Sequence, residues 1–341
     1  MKKQLSSKQL RQQQLRTWIN QSTDYDCDVL EIVAGDAGFR RYFRFASNNQ
    51  TFIAVDAPIE FEDASKFIAV AQSYREKGVK VPQVYAYDFA QGFYIQQDFG
   101  NHMFSDVLSV DCCDQLYPKA LANIPIIQSC VLTQSGPLPD FDAEFIDREL
   151  SIFPEWLLDK YLQLSLTPSE KSMLSQAFES IKNACLSQPK AGMHRDYHSR
   201  NLMLLENDEI GVIDFQDAVV GPITYDAVSL LRDSYQDWPQ PKVLQWLKNW
   251  HGEYYSQYSW AEFKKWFDCV GIQRHTKIAG IFARLYLRDD KSSYLFDIPH
   301  TLNYLIAETV QYPEYGDFSY FVQERVLPSV LQKLQVSKHE T

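Results

Sequence analysis

Residues 194–203 read HRDYHSRNLM: two His, two Arg, an Asp and an Asn, followed by an apolar turn of the pattern. Polar and titratable side chains at this density, beside what reads as a buried strand, suit proton transfer and the holding of a charged ligand. The residues that follow narrow the chemistry. Positions 202–206 (LMLLE) and 210–214 (IGVID) are short apolar runs flanking Asn-Asp-Glu, which is a hairpin signal. Antiparallel pairing brings Asn201, just before the first run, beside Asp214 at the end of the second. Two hard oxygen ligands on one rigid hairpin suit Mg²⁺, an ion that wants near-octahedral oxygen coordination and shares its shell with substrate phosphates. Asp196 lies in the loop that leads into the hairpin, where a carboxylate can accept the proton of an attacking hydroxyl. A base followed by two metal ligands is the arrangement of phosphoryl transfer.

The rest of the chain must position these groups. Residues 1–22 predict a Gln-rich amphipathic helix with Leu10, Leu15, Trp18 and Ile19 on one side. RRYFRFA and TFIAVDA, separated by the turn composition SNNQ, predict a hairpin within 30–56. A helix is expected over 62–78, and VPQVYAYDF and GFYIQQDFG read as two further strands. Beyond Gly100 the pattern turns helical. Thr167 and Glu170 form a capping box with Pro168 at the first helical position, and Met173, Leu174, Ala177, Phe178 and Ile181 continue at helical spacing. Trp260, Phe263, Trp266, Phe267 and Val270 make a second stripe, read as core. The expected class is α+β, with a strand-rich lobe over 1–100 and a mainly helical lobe over 101–341 that carries the catalytic loop, the hairpin and the substrate pocket.

The bulk numbers exclude some partners. The chain has 341 residues, 45% of them hydrophobic, enough for a sizeable core. Its 33 basic and 44 acidic residues leave a net charge of −11, which argues against nucleic-acid backbones and anionic membranes as partners and leaves a small phosphate ligand open. The six Cys include no Cys-x-x-Cys pair, so neither zinc nor a disulfide framework is expected and the thiols fit a reducing cytoplasm. The first twenty residues lack the apolar core of a signal peptide, and no run approaches the length of a membrane helix.

His194-Arg195-Asp196, then Asn201, then Asp214-Phe215-Gln216 resembles the aminoglycoside-phosphotransferase family of small-molecule kinases, which share the bilobal protein-kinase-like fold. GDAGFRRYFR (35–44), VDAP (55–58), FDAEFIDREL (141–150), GVIDFQDAVVGPITYDAVSLL (211–231) and GIFARLYLRDDKSSYL (280–295) extend the likeness over about four-fifths of the chain. Within the family they resemble bacterial kinases that phosphorylate N-acetylmuramate and N-acetylglucosamine on the anomeric hydroxyl in peptidoglycan recycling. The resemblance implies ATP and Mg²⁺ as cofactors and a small sugar as substrate. It makes Asp196 the catalytic base and Asn201 and Asp214 the metal ligands. Gly35, Gly38, Arg40 and Arg41 are expected toward the nucleotide phosphates, and Gln97, Asp98 and Phe99 at a hinge beside the adenine. His194, Arg195 and Asp226 are expected to brace the loop. His198, Asp217 and the basic cluster Arg284, Arg288 and Lys291 are the candidate substrate contacts, the cluster as a partner for a substrate carboxylate.

Two departures stand out. The glycine-rich loop of protein kinases is reduced to Gly35 and Gly38, and the strand TFIAVDAP has Asp56 but no Lys for the α- and β-phosphates. Arg40, Arg41 and Arg44 are the candidate replacements. Asp98-Phe99-Gly100 imitates the metal-binding triplet of protein kinases but lies upstream of the catalytic loop, so it is expected to be a coincidence of composition. The same-class alternatives are an aminoglycoside, choline or homoserine acceptor. From a different class, a nucleotide-binding pseudokinase scaffold is favoured by the missing Lys and disfavoured by the intact Asp196, Asn201 and Asp214.

Overall fold

The computed structural model describes residues 7–35, 40–61 and 63–339. They divide into two compact units. The first takes in the chain up to Val107 together with 132–137 and 201–217, so the hairpin packs with the strand-rich part of the chain. The second holds 108–131, 138–200 and the residues from Ala218 onward.

The first unit is built on a five-stranded antiparallel sheet. Its strands are β1 (Glu31–Gly35), β2 (Arg41–Ser47), β3 (Gln50–Asp56), β4 (Val84–Asp88) and β5 (Phe93–Gln97), in the order β1-β2-β3-β5-β4. Side chains alternate between its two faces. Phe43, Phe45, Phe52, Ala54, Phe93 and Ile95 pack with Leu15, Trp18 and Ile19 of helix α1 (Ser7–Ser22). Leu10, expected on that stripe, is 49% exposed, because the apolar contact begins a turn later. The other face meets helix α2 (Ala64–Glu76), which is capped by Asp63. There Phe67 stacks on Tyr94 of β5 at 5.1 Å and on Phe215 at 4.6 Å. The residue after Asp214 is therefore fixed on the α2 face of the sheet.

The predicted hairpin forms from Leu202–Leu204 and Ile210–Val212, with Leu202 paired to Val212 and Leu204 to Ile210. Asn207 (φ 58°) and Asp208 (φ 55°) make its turn, residue types that tolerate the left-handed region.

The second unit is mainly helical. The helix Pro168–Leu186 carries the expected Thr167–Glu170 capping box. The helix Trp260–Asp289 is thirty residues long, and the whole run from Phe267 to Lys277 is buried. Strands Lys190–Met193 and Val219–Pro222 pair antiparallel and stand in sequence on either side of residues 194–218. All six cysteines are free thiols. Among the described residues no helix is long and apolar enough to cross a membrane.

Candidate active site

In the first unit the hairpin does what its spacing predicts. The Ile213 N–H donates to the Asn201 carbonyl (3.0 Å), and the Asn201 side-chain amide lies 3.4 Å from Asp214 Oδ2. Gln216 Nε2 donates to Asp214 Oδ1 at 2.8 Å. Asp214 sits at φ 62°, in the left-handed region that Asp tolerates better than most non-glycine residues. A half-turn of the Asn201 amide presents its oxygen in place of its nitrogen, so the pair offers oxygen donors side by side and fits Mg²⁺. Asp217 lies in the following turn and is exposed.

The sheet sorts the N-terminal arginines. Arg41 turns to the α1 face, where its Nε and that of Arg11 each donate at 3.1 Å to a different oxygen of Asp56, which is 0% exposed. Asp56 thus faces α1. It shares its face with Ala54 and Phe52 beneath α1, and the question of a missing Lys moves to other residues. Arg40 is buried, with its guanidinium 5.7 Å from the centre of the Phe67 ring, on the face that carries Phe215. Arg44 closes on Asp98 through Nε (2.6 Å) and Nη2 (2.9 Å), and also reaches Asn101 and the Gly100 carbonyl. Gly35 ends β1 opposite Arg41, and Gly38 lies outside the described residues. Gln97 and Phe99 line a hollow of about 450 Å³ with Arg75, Lys80, Leu205 and Glu209. Phe99 packs so closely on Gly211 that a Cβ there would meet its ring at 2.8 Å.

In the second unit Asp196 is held from several sides. The Asp226 carboxylate accepts the backbone N–H groups of His194 (2.8 Å) and Arg195 (2.9 Å), which steadies Arg195 at φ 78°. Burial raises the pKa of Asp226 despite the His194 ring and those two donors. Arg274 Nη1 donates to the Arg195 carbonyl at 2.9 Å and lies 3.6 Å from Asp196 Oδ1. Glu149, buried, gathers Arg195 and Lys277 (both 2.9 Å) and Gln273 (2.8 Å). Burial works against the charge of Asp196, but Lys277, Arg274 and Arg195 outweigh it and hold its pKa well below the usual carboxylate range. Its side chain keeps 36% exposure, enough to meet a substrate. His198 packs edge-on against Tyr235 at 5.4 Å, and burial lowers its pKa.

The distal basic cluster is less uniform than its sequence. Arg288 closes both arms of its fork on Asp289 at 2.8 Å. Arg284 Nε is buried without a hydrogen-bond partner among the described residues, and burial together with Arg288 lowers its pKa. Lys291 follows the left-handed helix end at Asp290. Sequence reasoning missed Glu149, Arg274 and Lys277. The usable signal was a Gln, an Arg and a Lys at 273, 274 and 277 inside a helix stretch too apolar on either side to be a solvated face.

This combination of loop, hairpin and braced aspartate has relatives. The model of the phosphotransferase enzyme family APH matches residues 29–263. The chain belongs to that family. Among curated proteins this phosphotransferase is 34% identical to the N-acetylmuramate/N-acetylglucosamine kinase of Pseudomonas putida over 334 residues, 92% of this chain and 96% of that protein. It is 36% identical to the protein of the same name from Neisseria meningitidis over 315 residues, 89% and 92% of the two chains. Solved structures that share its fold include a choline/ethanolamine kinase family protein from Mesorhizobium loti, with a TM-score of 0.63, 13% identity, and 94% and 99% coverage. Another is the gentamicin complex of APH(2")-IIa, at a TM-score of 0.59, 16% identity, and 91% and 98% coverage. The α+β, protein-kinase-like fold expected from the sequence is borne out.

Proposed function

We propose that this phosphotransferase moves the γ-phosphoryl group of ATP to the anomeric hydroxyl of an N-acetylated amino sugar, N-acetylmuramate or N-acetylglucosamine. The observation that carries the reading is Asp214, fixed in the left-handed region at the hairpin end beside Asn201. The names of relatives alike over nearly the whole chain support the choice of acceptor.

In this reading Asn201 and Asp214 hold Mg²⁺, which would neutralise charge on the nucleotide phosphates. Arg40 is the arginine disposed to the same face of the sheet, and the adenine lies against the main chain of 97–100. Asp196 accepts a hydrogen bond from the acceptor hydroxyl, orients it in line with the γ-phosphorus, and takes its proton as the new O–P bond forms and the bond from the γ-phosphorus to the β,γ-bridging oxygen breaks, releasing ADP. A carboxylate held so firmly as an anion has little proton affinity, which suits an anomeric hydroxyl, the most acidic of a sugar's hydroxyls. Phosphoryl transfer asks little covalent chemistry of a protein, so placement and charge supply most of the rate.

The test is a panel of sugars, an aminoglycoside and choline with ATP and Mg²⁺, with products identified by NMR. A phosphate on C1 and loss of the reducing end are expected for the N-acetylated sugars. Phosphorylation confined to the aminoglycoside or choline would reject the acceptor, a product that still reduces would reject C1, and tight nucleotide binding without any turnover would favour the scaffold.

A further inference from the structure

Beside the catalytic loop the second unit builds a wall that no part of the transfer chemistry requires. The Ser199 N–H and hydroxyl both donate to Asp233 Oδ2 (2.9 and 2.5 Å), and Asp233 Oδ1 accepts the Tyr235 N–H at 3.0 Å. This staple sets the Tyr235 ring beneath the guanidinium of Arg200, 3.7 Å from the ring centre. Phe282, itself stacked on Tyr294 at 5.5 Å, continues the aromatic surface 6.5 Å from Tyr235. Arg200 is exposed. A guanidinium laid flat on a ring uses its face and keeps its N–H edge in plane, and that edge matches a carboxylate with two parallel hydrogen bonds.

We propose that Arg200, seated on Tyr235, recognises a carboxylate on the acceptor and sets the preference for an acidic N-acetylated sugar over its neutral counterpart. The proposal rests on the sugar-kinase reading above and names the residue that would tell N-acetylmuramate, with its lactyl carboxylate, from N-acetylglucosamine.

Position favours Arg200 over the distal cluster. Arg200 follows Asp196 by four residues in the same loop. Arg274 faces Asp196 from the helix Trp260–Asp289, and Arg284 lies ten residues further along it, about 15 Å at 1.5 Å per residue. That is longer than the reach from an anomeric hydroxyl to a substituent on the same sugar ring. Arg288 is further still and already closed on Asp289.

The experiment measures kcat/KM for both sugars, and for N-acetylmuramate with its carboxylate converted to an amide, in wild type, Arg200→Met, Arg200→Lys and Arg284→Met. The ratio of N-acetylmuramate to N-acetylglucosamine is read within each preparation, so a partly unfolded variant does not distort it. Arg200→Met is expected to lower that ratio about 10- to 100-fold, the scale of one lost charge-assisted hydrogen bond. Arg200→Lys should recover part of it, and the amide should show no such change of ratio. A ratio in Arg200→Met within threefold of wild type overturns the proposal, as does a selective loss in Arg284→Met alone. A wild type inactive on both sugars would overturn the sugar-kinase reading itself.

Discussion

Two of the Asp-Phe pairs in the first unit, Asp98-Phe99 and Asp214-Phe215, have opposite surroundings. Asp98 is nearly sealed: Arg44 clasps both of its oxygens, the Gly100 N–H adds a third bond at 2.9 Å, and Phe99 is wedged on Gly211. Asp214 receives side-chain amides from Gln216 and Asn201, sits in a left-handed backbone conformation, and has its Phe215 buried between Phe67 and Tyr74. A guanidinium clasp cancels a carboxylate's charge, whereas the amides that reach Asp214 orient its carboxylate. The same two letters of sequence therefore make a fastener in one place and a candidate ligand in the other.

Substitutions can break that comparison, beginning with the deepest effect. Asp214→Ala should leave no measurable Mg²⁺-dependent turnover while the circular dichroism spectrum stays that of wild type. Activity near wild type at saturating Mg²⁺ would remove Asp214 from the site. Asp196→Asn, which keeps the shape and loses the anion, should lower kcat about 10²- to 10⁴-fold with ATP affinity little changed. A loss located mainly in the KM for ATP would show that Asp196 serves the nucleotide instead. Asn201→Ala removes one neutral donor and should cost about tenfold in turnover at limiting Mg²⁺. If titration with Mg²⁺ gave the same midpoint as wild type, Asn201 would not be a ligand.

Asp98→Asn should be felt in stability and hardly in rate. Losing the anion opposite Arg44 costs about 1–3 kcal/mol, read by urea unfolding, with kcat within about threefold of wild type. Burial opposes the charge on Asp98, but the bonds from Arg44 and Gly100 overcome it and lower its pKa. A lowered folded-state value means stability present above the unfolded carboxylate value, about 3.9, and lost as pH falls through the folded one. Wild type and Asp98→Asn should therefore begin to converge in stability as pH falls below about 4, and meet only below the folded-state value of Asp98. A turnover loss as deep as that of Asp214→Ala, at unchanged stability, would mean that the two pairs have been assigned the wrong way round.

What could be read from sequence divides by the distance over which a contact forms. The Asn201–Asp214 neighbourhood, the Thr167–Glu170 cap and the strand pattern of the first hundred residues depend on turns and periodicity within a short window, and each is found in the structure. The face to which Asp56 turns was half legible. Alternation puts it with Ala54 and Phe52, but which face carries α1 depends on Arg11, forty-five residues away. Gln273, Arg274 and Lys277 stand out as polar residues in an apolar stretch, but nothing in local spacing joins them to Glu149, 124 residues before Gln273. Arg44 looked like a phosphate ligand for the same reason: its partner Asp98 is 54 residues downstream.

The double clasp on Asp56 has a further consequence, for how the molecule ages. Arg11 also donates to the Gln91 carbonyl and lies over Phe93, so one side chain of the leading helix spans from the end of β3 to the turn before β5. A protease that trimmed the chain past Arg11 would take away one of the two guanidiniums on a carboxylate with no access to water. The damage from a nick within the leading helix would thus surface at the end of the sheet's middle strand, and in an old preparation the loss of the first turns of α1 would weaken the sheet while leaving both aspartates of the proposed chemistry in place.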